Sequence, residues 1–325
     1  MGLHFIFGAA GTGKTRRCCE EIRDYVTGKK GRSAFFLVPD QETYTAERML
    51  ADIFPGHGFI DATVCGFSRL AYRVFNELRS PVQDALSPLG QQIIISRILA
   101  EHRDELQMLM KISSQPHFAE NLMNLFHQLD MFCISETALH DASLAEEGTP
   151  LGRKLADLSL LYKNYHDYLH TRFSYEGSLF DLLAGEIPKS EILRRSRIWI
   201  DGFNGMTPQK IRIVSALIHT AEEVTFTLPL PDAKEGLSNE IFARPANLYA
   251  LLSEKEPHFD STTLPEMKRF RCPRLRCLAA DYFQNVPSPC PLPKETSPVP
   301  EKGIHIVSAP DSQAEADFIS RRILS

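Results

Sequence analysis

Short, almost continuously apolar runs alternate along the chain with longer stretches in which apolar residues recur every three or four positions. The runs are LHFIFG near residue 3, SAFFLVP near 33, ATVCGF near 62, RIWIDGF near 197 and EVTFTLPL near 223. A strand buried on both faces has no polar side to show, so runs of this kind predict a parallel sheet covered by helices. Between the third and fourth runs, over 76–190, the period changes to that of an amphipathic helix. Phe118, Leu122, Leu125, Phe126 and Leu129 form one stripe, and Leu151, Leu155, Leu158, Tyr162, Tyr165 and Leu169 another. Both read as packing faces. The pattern predicts an α/β domain in two segments, 1–75 and 191–280, interrupted by a helical insertion subdomain over 76–190.

Over 281–302 the composition shifts to proline every few residues, which removes backbone donors and fixes φ, so a linker or long surface loop is expected. The remainder, 303–325, opens with the strand-like GIHIVS and continues in a helical pattern. It reads as the start of a following, truncated domain, and the chain is expected to be the N-terminal fragment of a longer protein.

Composition narrows the class without naming a chemistry. The 325 residues are 43% hydrophobic and 24% charged, with a net charge of -5, which suits a globular protein and gives no global field for nucleic acid. No apolar run approaches the roughly 20 residues of a membrane span, and the N-terminus lacks the layout of a signal peptide; a cytoplasmic protein is expected. The seven cysteines are Cys18, Cys19, Cys65, Cys133, Cys272, Cys277 and Cys290. They form no paired CxxC sets and read as reduced thiols.

The most specific chemistry lies at the first strand's end. Residues Gly8, Ala9, Ala10, Gly11, Thr12, Gly13, Lys14 and Thr15 spell GAAGTGKT, a full match to the phosphate-loop pattern GxxxxGK[ST] between a strand and a helix. Glycines let backbone N–H groups close on phosphates where a Cβ would obstruct them. Lys14 is expected to reach the outer phosphates of ATP, and the Thr15 hydroxyl to ligate Mg²⁺. A glycine-rich turn without a ligand is the plain alternative.

A P-loop enzyme places a carboxylate at the end of another buried strand to hold the hydrated metal. Asp201, directly after Ile198, Trp199 and Ile200, is the candidate; a strand-end turn aspartate is the alternative. Helicase-type ATPases follow this residue with a glutamate that activates water, and here it is Gly202. Loss of general-base assistance costs roughly two to four orders of magnitude in rate. Nucleotide binding with weak or no hydrolysis is therefore expected, and no catalytic base is assigned; Glu176, Asp181 and Glu186 cannot be placed from sequence.

Five segments together, GAAGTGKT at 8, FFLVPDQETYTAE at 35, VCGFSRLAYRVF at 64, LGRKLADLSLLYKNY at 151 and WIDGFNGMTPQ at 199, resemble the N-terminal part of the AddB family, the RecC-like subunits of bacterial AddAB helicase-nucleases. The resemblance covers about the first 230 residues well and the rest loosely. It implies the first RecA-like domain (1A) of a superfamily 1 helicase fold, carried by a subunit that is not the motor. The partner would be an AddA-like helicase-nuclease subunit in a heterodimer acting on double-stranded and single-stranded DNA, with this chain helping to inspect the single strand for Chi. The segments LVPDQETY and GFSRLAY would then face that strand. Gln41 and Thr43 offer hydrogen-bonding groups, Phe67 and Tyr72 stacking faces, and Arg69 a cation; packing of Phe67 and Tyr72 on the sheet, and pairing of Arg69 with an acidic neighbour, are the alternatives. The family's nuclease domain and its iron–sulfur cluster are expected outside this fragment. A self-contained small-molecule kinase, or a structural domain without nucleotide, are the rival readings.

Overall fold

The computed structural model describes residues 2–28, 33–54, 56, 58–80, 86–115, 117–170, 176–231, 240–270, 272, 275–276, 278–279 and 306–324. Contacts divide the chain into two compact units. One comprises Met1–Ala9 and Lys14–Leu264, the other Ala10–Gly13 and Pro265–Ser325.

The first unit is α/β and built on six parallel strands: β1 (Leu3–Phe7), β2 (Ser33–Leu37), β3 (Ala62–Cys65), β4 (Ser196–Ile200), β5 (Glu223–Leu228) and β6 (Phe259–Thr263). Their order across the sheet is β3-β2-β4-β5-β1-β6. The five apolar runs are the five strands expected, and the architecture is that of a RecA-like domain. Alternate residues feed two cores. Phe5, Phe7, Phe35, Leu37, Ile198 and Ile200 enter one apolar cluster, whereas Ile6, Ala34, Phe36 and Trp199 enter another. Side chains alternate across a strand, so these runs are apolar throughout because both faces are covered. The sixth strand is new relative to the sequence reading. Its FDSTT is polar and mostly exposed, as suits an edge, and gives no apolar signal.

Helices α1 (Lys14–Gly28), α2 (Thr43–Ile53) and α3 (Phe67–Leu78) follow the first three strands. Next come α4 (Pro88–Glu101), α5 (Phe118–Met131), α6 (Glu136–Ala145), α7 (Pro150–His170), α8 (Glu176–Glu186) and α9 (Glu191–Arg194). Their starts are written locally. Ser87 accepts the Gly90 N–H ahead of Pro88, and Ser135 accepts that of Ala138, satisfying N–H groups that a helix leaves open. Apolar faces of α4, α5 and α7, from Ile94 to Leu169, form a core separate from the sheet's two. Leu179, Phe180 and Leu183 of α8 pack instead with the sheet. The α7 stripe buries Leu158, Tyr162, Tyr165 and Leu169, but Leu151 is 52% exposed. Asp157, 2% exposed, ties the insertion together: its carboxylate accepts backbone N–H groups of Gln107, Met108 and Leu109.

Helices α10 (Pro208–Thr220) and α11 (Ala243–Lys255) complete this unit, and α12 (Ser312–Leu324) lies in the second. The proline-rich stretch and the first residues of GIHIVS lie outside the described residues; Ile306 to Ser308 form no strand. Among the described residues no helix is long and apolar enough to cross a membrane.

Candidate nucleotide site and strand-end loops

The loop after β1 is shaped by glycine. Gly11 and Gly13 both have φ of +93°, a region that side chains with a Cβ rarely enter. α1 begins directly at Lys14. The Lys14 ammonium donates to the carbonyls of Gly8, at 2.7 Å, and Ala9, at 3.1 Å. Burial pushes its pKa below the ordinary lysine value, while the negative charge of Asp201 pulls it back. Thr15 is half-buried, and Thr12 is 2% exposed. Cys18 and Cys19, one turn further on, are packed in the core, and burial pushes the Cys19 thiol up to about 12. They are packing groups, not nucleophiles.

In the unit holding Ala10–Gly13, the chain after Pro265 closes on the glycines. Backbone N–H groups of Lys268 and Arg269 both donate to the Gly11 carbonyl at 3.0 Å. A Cβ on Gly11 would lie 2.8 Å from Cβ of Arg269 and 2.9 Å from Sδ of Met267, and one on Gly13 would lie 3.6 Å from Cδ of Lys268.

Asp201 directly follows β4, which lies one strand away from β1 with β5 between. Its N–H donates to Leu37 O at 3.0 Å, its carboxylate accepts the Thr227 hydroxyl of β5, and it is 4% exposed. The sheet order therefore puts a buried carboxylate among the carboxyl ends of the strands, where open α/β sheets bind ligands, within electrostatic reach of Lys14. The next residue differs from a helicase glutamate in more than its missing side chain. Gly202 has φ of +83°, and a Cβ there would lie 2.7 Å from Oε2 of Glu42.

The segments after β2 and β3 meet. The Asp40 carboxylate packs against Gly66 so closely that a Cβ on the glycine would overlap it, and Arg69 pairs with Glu47 at 3.7 Å. Gln41 is exposed, and Thr43 donates its hydroxyl to Asp40 O at 2.9 Å. Phe67 is 3% exposed, edge-on to Phe203 and beneath the Lys210 ammonium. Tyr72 is 46% exposed. The structure thus puts Gln41 and Thr43 after β2 and Arg69 and Tyr72 on α3, which follows the neighbouring strand β3, whereas Phe67 is packed in the core against Phe203. Sequence reasoning passes over Tyr44, 74% exposed in the same segment, and over the pairings of Glu42, Phe203 and Lys268. Only the exposed aromatic had a local signal; the rest are contacts between residues far apart in sequence.

A family model described as ADDB, N-terminal, matches residues 5–278. Several curated relatives are named as the B subunit of an ATP-dependent helicase/deoxyribonuclease. That of Pelotomaculum thermopropionicum is 34% identical over 99% of this chain and 28% of its own length. The relative from Heliobacterium modesticaldum is 32% identical over 100% and 27%, and that from Desulforudis audaxviator 32% over 100% and 28%. The chain thus spans a little over a quarter of the length of the curated relatives it matches. The matched residues include the glycine loop, both strand-end segments and the Asp201 turn, and the chain belongs to the AddB N-terminal family.

Proposed function

We propose that this chain is the nucleotide-binding first domain of the AddB-type subunit of an AddAB-like ATP-dependent helicase-nuclease that works in the cytoplasm on the repair of DNA double-strand breaks. The observation that carries the reading is Lys14, which follows two left-handed glycines and feels the charge of a buried carboxylate from a neighbouring strand end. Gly8–Thr15 have the glycines, the cation and the hydroxyl that a Mg²⁺–ATP group requires, and Asp201 supplies the second carboxylate for the metal. Bound ATP would neutralise the Lys14 cation and draw it off the carbonyls of Gly8 and Ala9.

Water activation is a different matter. The turn at Gly202 has no side chain, and its left-handed φ disfavours one, so nucleotide is held without motor-rate hydrolysis. The working motor then resides in an AddA-like partner. Gln41, Thr43, Arg69 and Tyr72 face the single strand that this partner feeds through, and contribute to reading Chi; Phe67, packed in the core, takes no part in stacking. Nuclease activity and an iron–sulfur cluster belong to parts of the AddB-type protein other than this domain.

The test is calorimetric titration of the full-length AddB-type protein with Mg²⁺–ATP, wild type against Lys14→Ala, with steady-state hydrolysis on the same samples. Lysine-dependent binding with negligible turnover is expected. Turnover at tens per second that disappears with Lys14 would overturn the non-motor assignment, and binding indifferent to Lys14 would overturn the site.

A further inference from the structure

The α6–α7 hairpin of the helical insertion carries a groove of about 880 Å³ whose two walls differ in sign. α6 and the turn after it contribute Glu136, Asp141 and Glu147, whereas α7 contributes Arg153 and Lys163. Both cations are exposed and make no ion pair among the described residues, so the acidic and basic walls share one groove without neutralising each other. Leu144, Ala156 and Leu160 line it as well, and Leu144 is 55% exposed. Ser159, only 8% exposed, opens into the same groove, and its hydroxyl makes no hydrogen bond among the described residues. Native folds rarely leave a buried polar group without a partner, so this hydroxyl marks a place where an occupant completes the bonding. The frame is held firmly: Gln107, which also lines the groove, has its N–H fixed by Asp157 at 2.9 Å.

We propose that this groove docks one helix of a different protein, a helix whose apolar strip is flanked by acidic residues on one edge and basic residues on the other. Arg153 and Lys163 lie on a single helix, about 15 Å apart at 1.5 Å per residue, so only an elongated occupant meets both. The carboxylates of α6 repel a phosphate backbone along the same length, which disfavours nucleic acid. Small side chains at Ala156 and Ser159 let a third helix approach to ordinary packing distance. Charged rails beside an apolar seam are how paired helices choose partner and direction. The occupant's acidic edge then lies along α7 and its basic edge along α6, and the Ser159 hydroxyl bonds a polar side chain set within the strip, as single polar residues do in helix seams.

The experiment uses the full-length AddB-type protein and three fluorescent helical peptides with the same leucine strip: one with glutamates on one edge and lysines on the other, one with lysines on both edges, and one with glutamates on both. Anisotropy titrations at low salt should show the mixed peptide binding wild type about fivefold more tightly than either single-sign peptide. Arg153→Glu combined with Lys163→Glu makes both walls acidic. Because both positions are exposed, the melting temperature should hold while the preference switches to the two-lysine peptide by a similar factor. Unfolding weakens all three peptides alike and does not reverse their order. Equal affinity of wild type for the three, no binding by any of them, or an unchanged order in the double variant overturns the proposal. Displacement of the mixed peptide by single-stranded DNA would give the groove to nucleic acid, and self-association abolished in the double variant would give it to a second copy of this chain; either result overturns it too.

Discussion

Glu42 stands over Gly202: a Cβ built on the glycine would lie 2.7 Å from Oε2 of Glu42 and 3.0 Å from Cδ of Pro39, and φ at Gly202 is +83°. The turns after β2 and β4 therefore close on each other around a position whose left-handed φ favours glycine. Restoring a helicase-like glutamate at this position should fail twice. Gly202→Glu forces a side chain into the left-handed region, at about 1–2 kcal/mol, and into a neighbouring carboxylate. We expect a total loss of roughly 2–4 kcal/mol, seen as a lower denaturation midpoint, with no gain in ATP turnover. Glu42→Ala in the same chain should return part of the stability. A Gly202→Glu protein as stable as wild type and newly active would mean that the turn rearranges freely.

Lys14 carries a pH signature. Burial lowers its pKa, against the opposing pull of Asp201, so folding penalises its charged form. The unfolded chain then binds more protons than the folded one between the lowered value and the ordinary 10.5, and stability must rise with pH across that window. The penalty is fully present below the lowered value and relieved above it. Denaturant titrations of nucleotide-free wild type and Lys14→Met should show wild type gaining on the variant as pH rises towards 10.5. A difference that is flat or falls with pH would contradict the burial penalty. Asp201→Asn should deepen the penalty, because it removes the charge that offsets it.

Much of the fold was legible because burial on both faces of the sheet writes itself as continuous apolar runs; Ile198, Trp199 and Ile200 show this in three consecutive letters. β6 was not legible, because an exposed edge strand such as Phe259–Thr263 can be polar and still pair. The same logic separates the site residues. Glycines of the loop and Asp201 announce themselves through local pattern and strand context. Glu42 over Gly202, Phe203 against Phe67, and Arg269 on Gly11 are contacts between distant segments, and no local pattern encodes them. Phe67 shows the limit from the other side. Its place in a strand-end segment suggests a stacking face, but the ring is held among Phe203 and Lys210 and is 3% exposed.

In the helical insertion, the informative residue is Asp157. Its carboxylate is the acceptor for three successive backbone N–H groups, those of Gln107, Met108 and Leu109, at 2.8–3.1 Å. Asp157→Ala strands those donors in a buried place, where an unmade hydrogen bond costs about 1–3 kcal/mol. The expected loss is about 3 kcal/mol or more, with faster amide exchange over 106–112 and little change in the strands of the sheet. Unchanged protection at Met108 and Leu109 would show that water replaces the carboxylate without cost.

The single-strand reading separates affinity from stability at three residues. Arg69 and Glu47 are both exposed, and exposed ion pairs contribute about 0–1 kcal/mol, so Arg69→Ala should leave the melting temperature nearly unchanged. Tyr72 is half open to solvent, and base–aromatic stacking is worth about 1–3 kcal/mol per base. Single-stranded oligonucleotide binding, read by fluorescence anisotropy at one fixed salt concentration, should therefore weaken by about fivefold or more in Arg69→Ala and Tyr72→Ala. Phe67→Ala should behave differently, since deleting a buried ring costs about 3–5 kcal/mol of stability. Its DNA defect should track the unfolded fraction and shrink when folding is restored by lower temperature. Wild-type affinity in both Arg69→Ala and Tyr72→Ala would remove the strand ends of β2 and β3 from the DNA path, and would leave Arg69 with no role beyond its pair with Glu47.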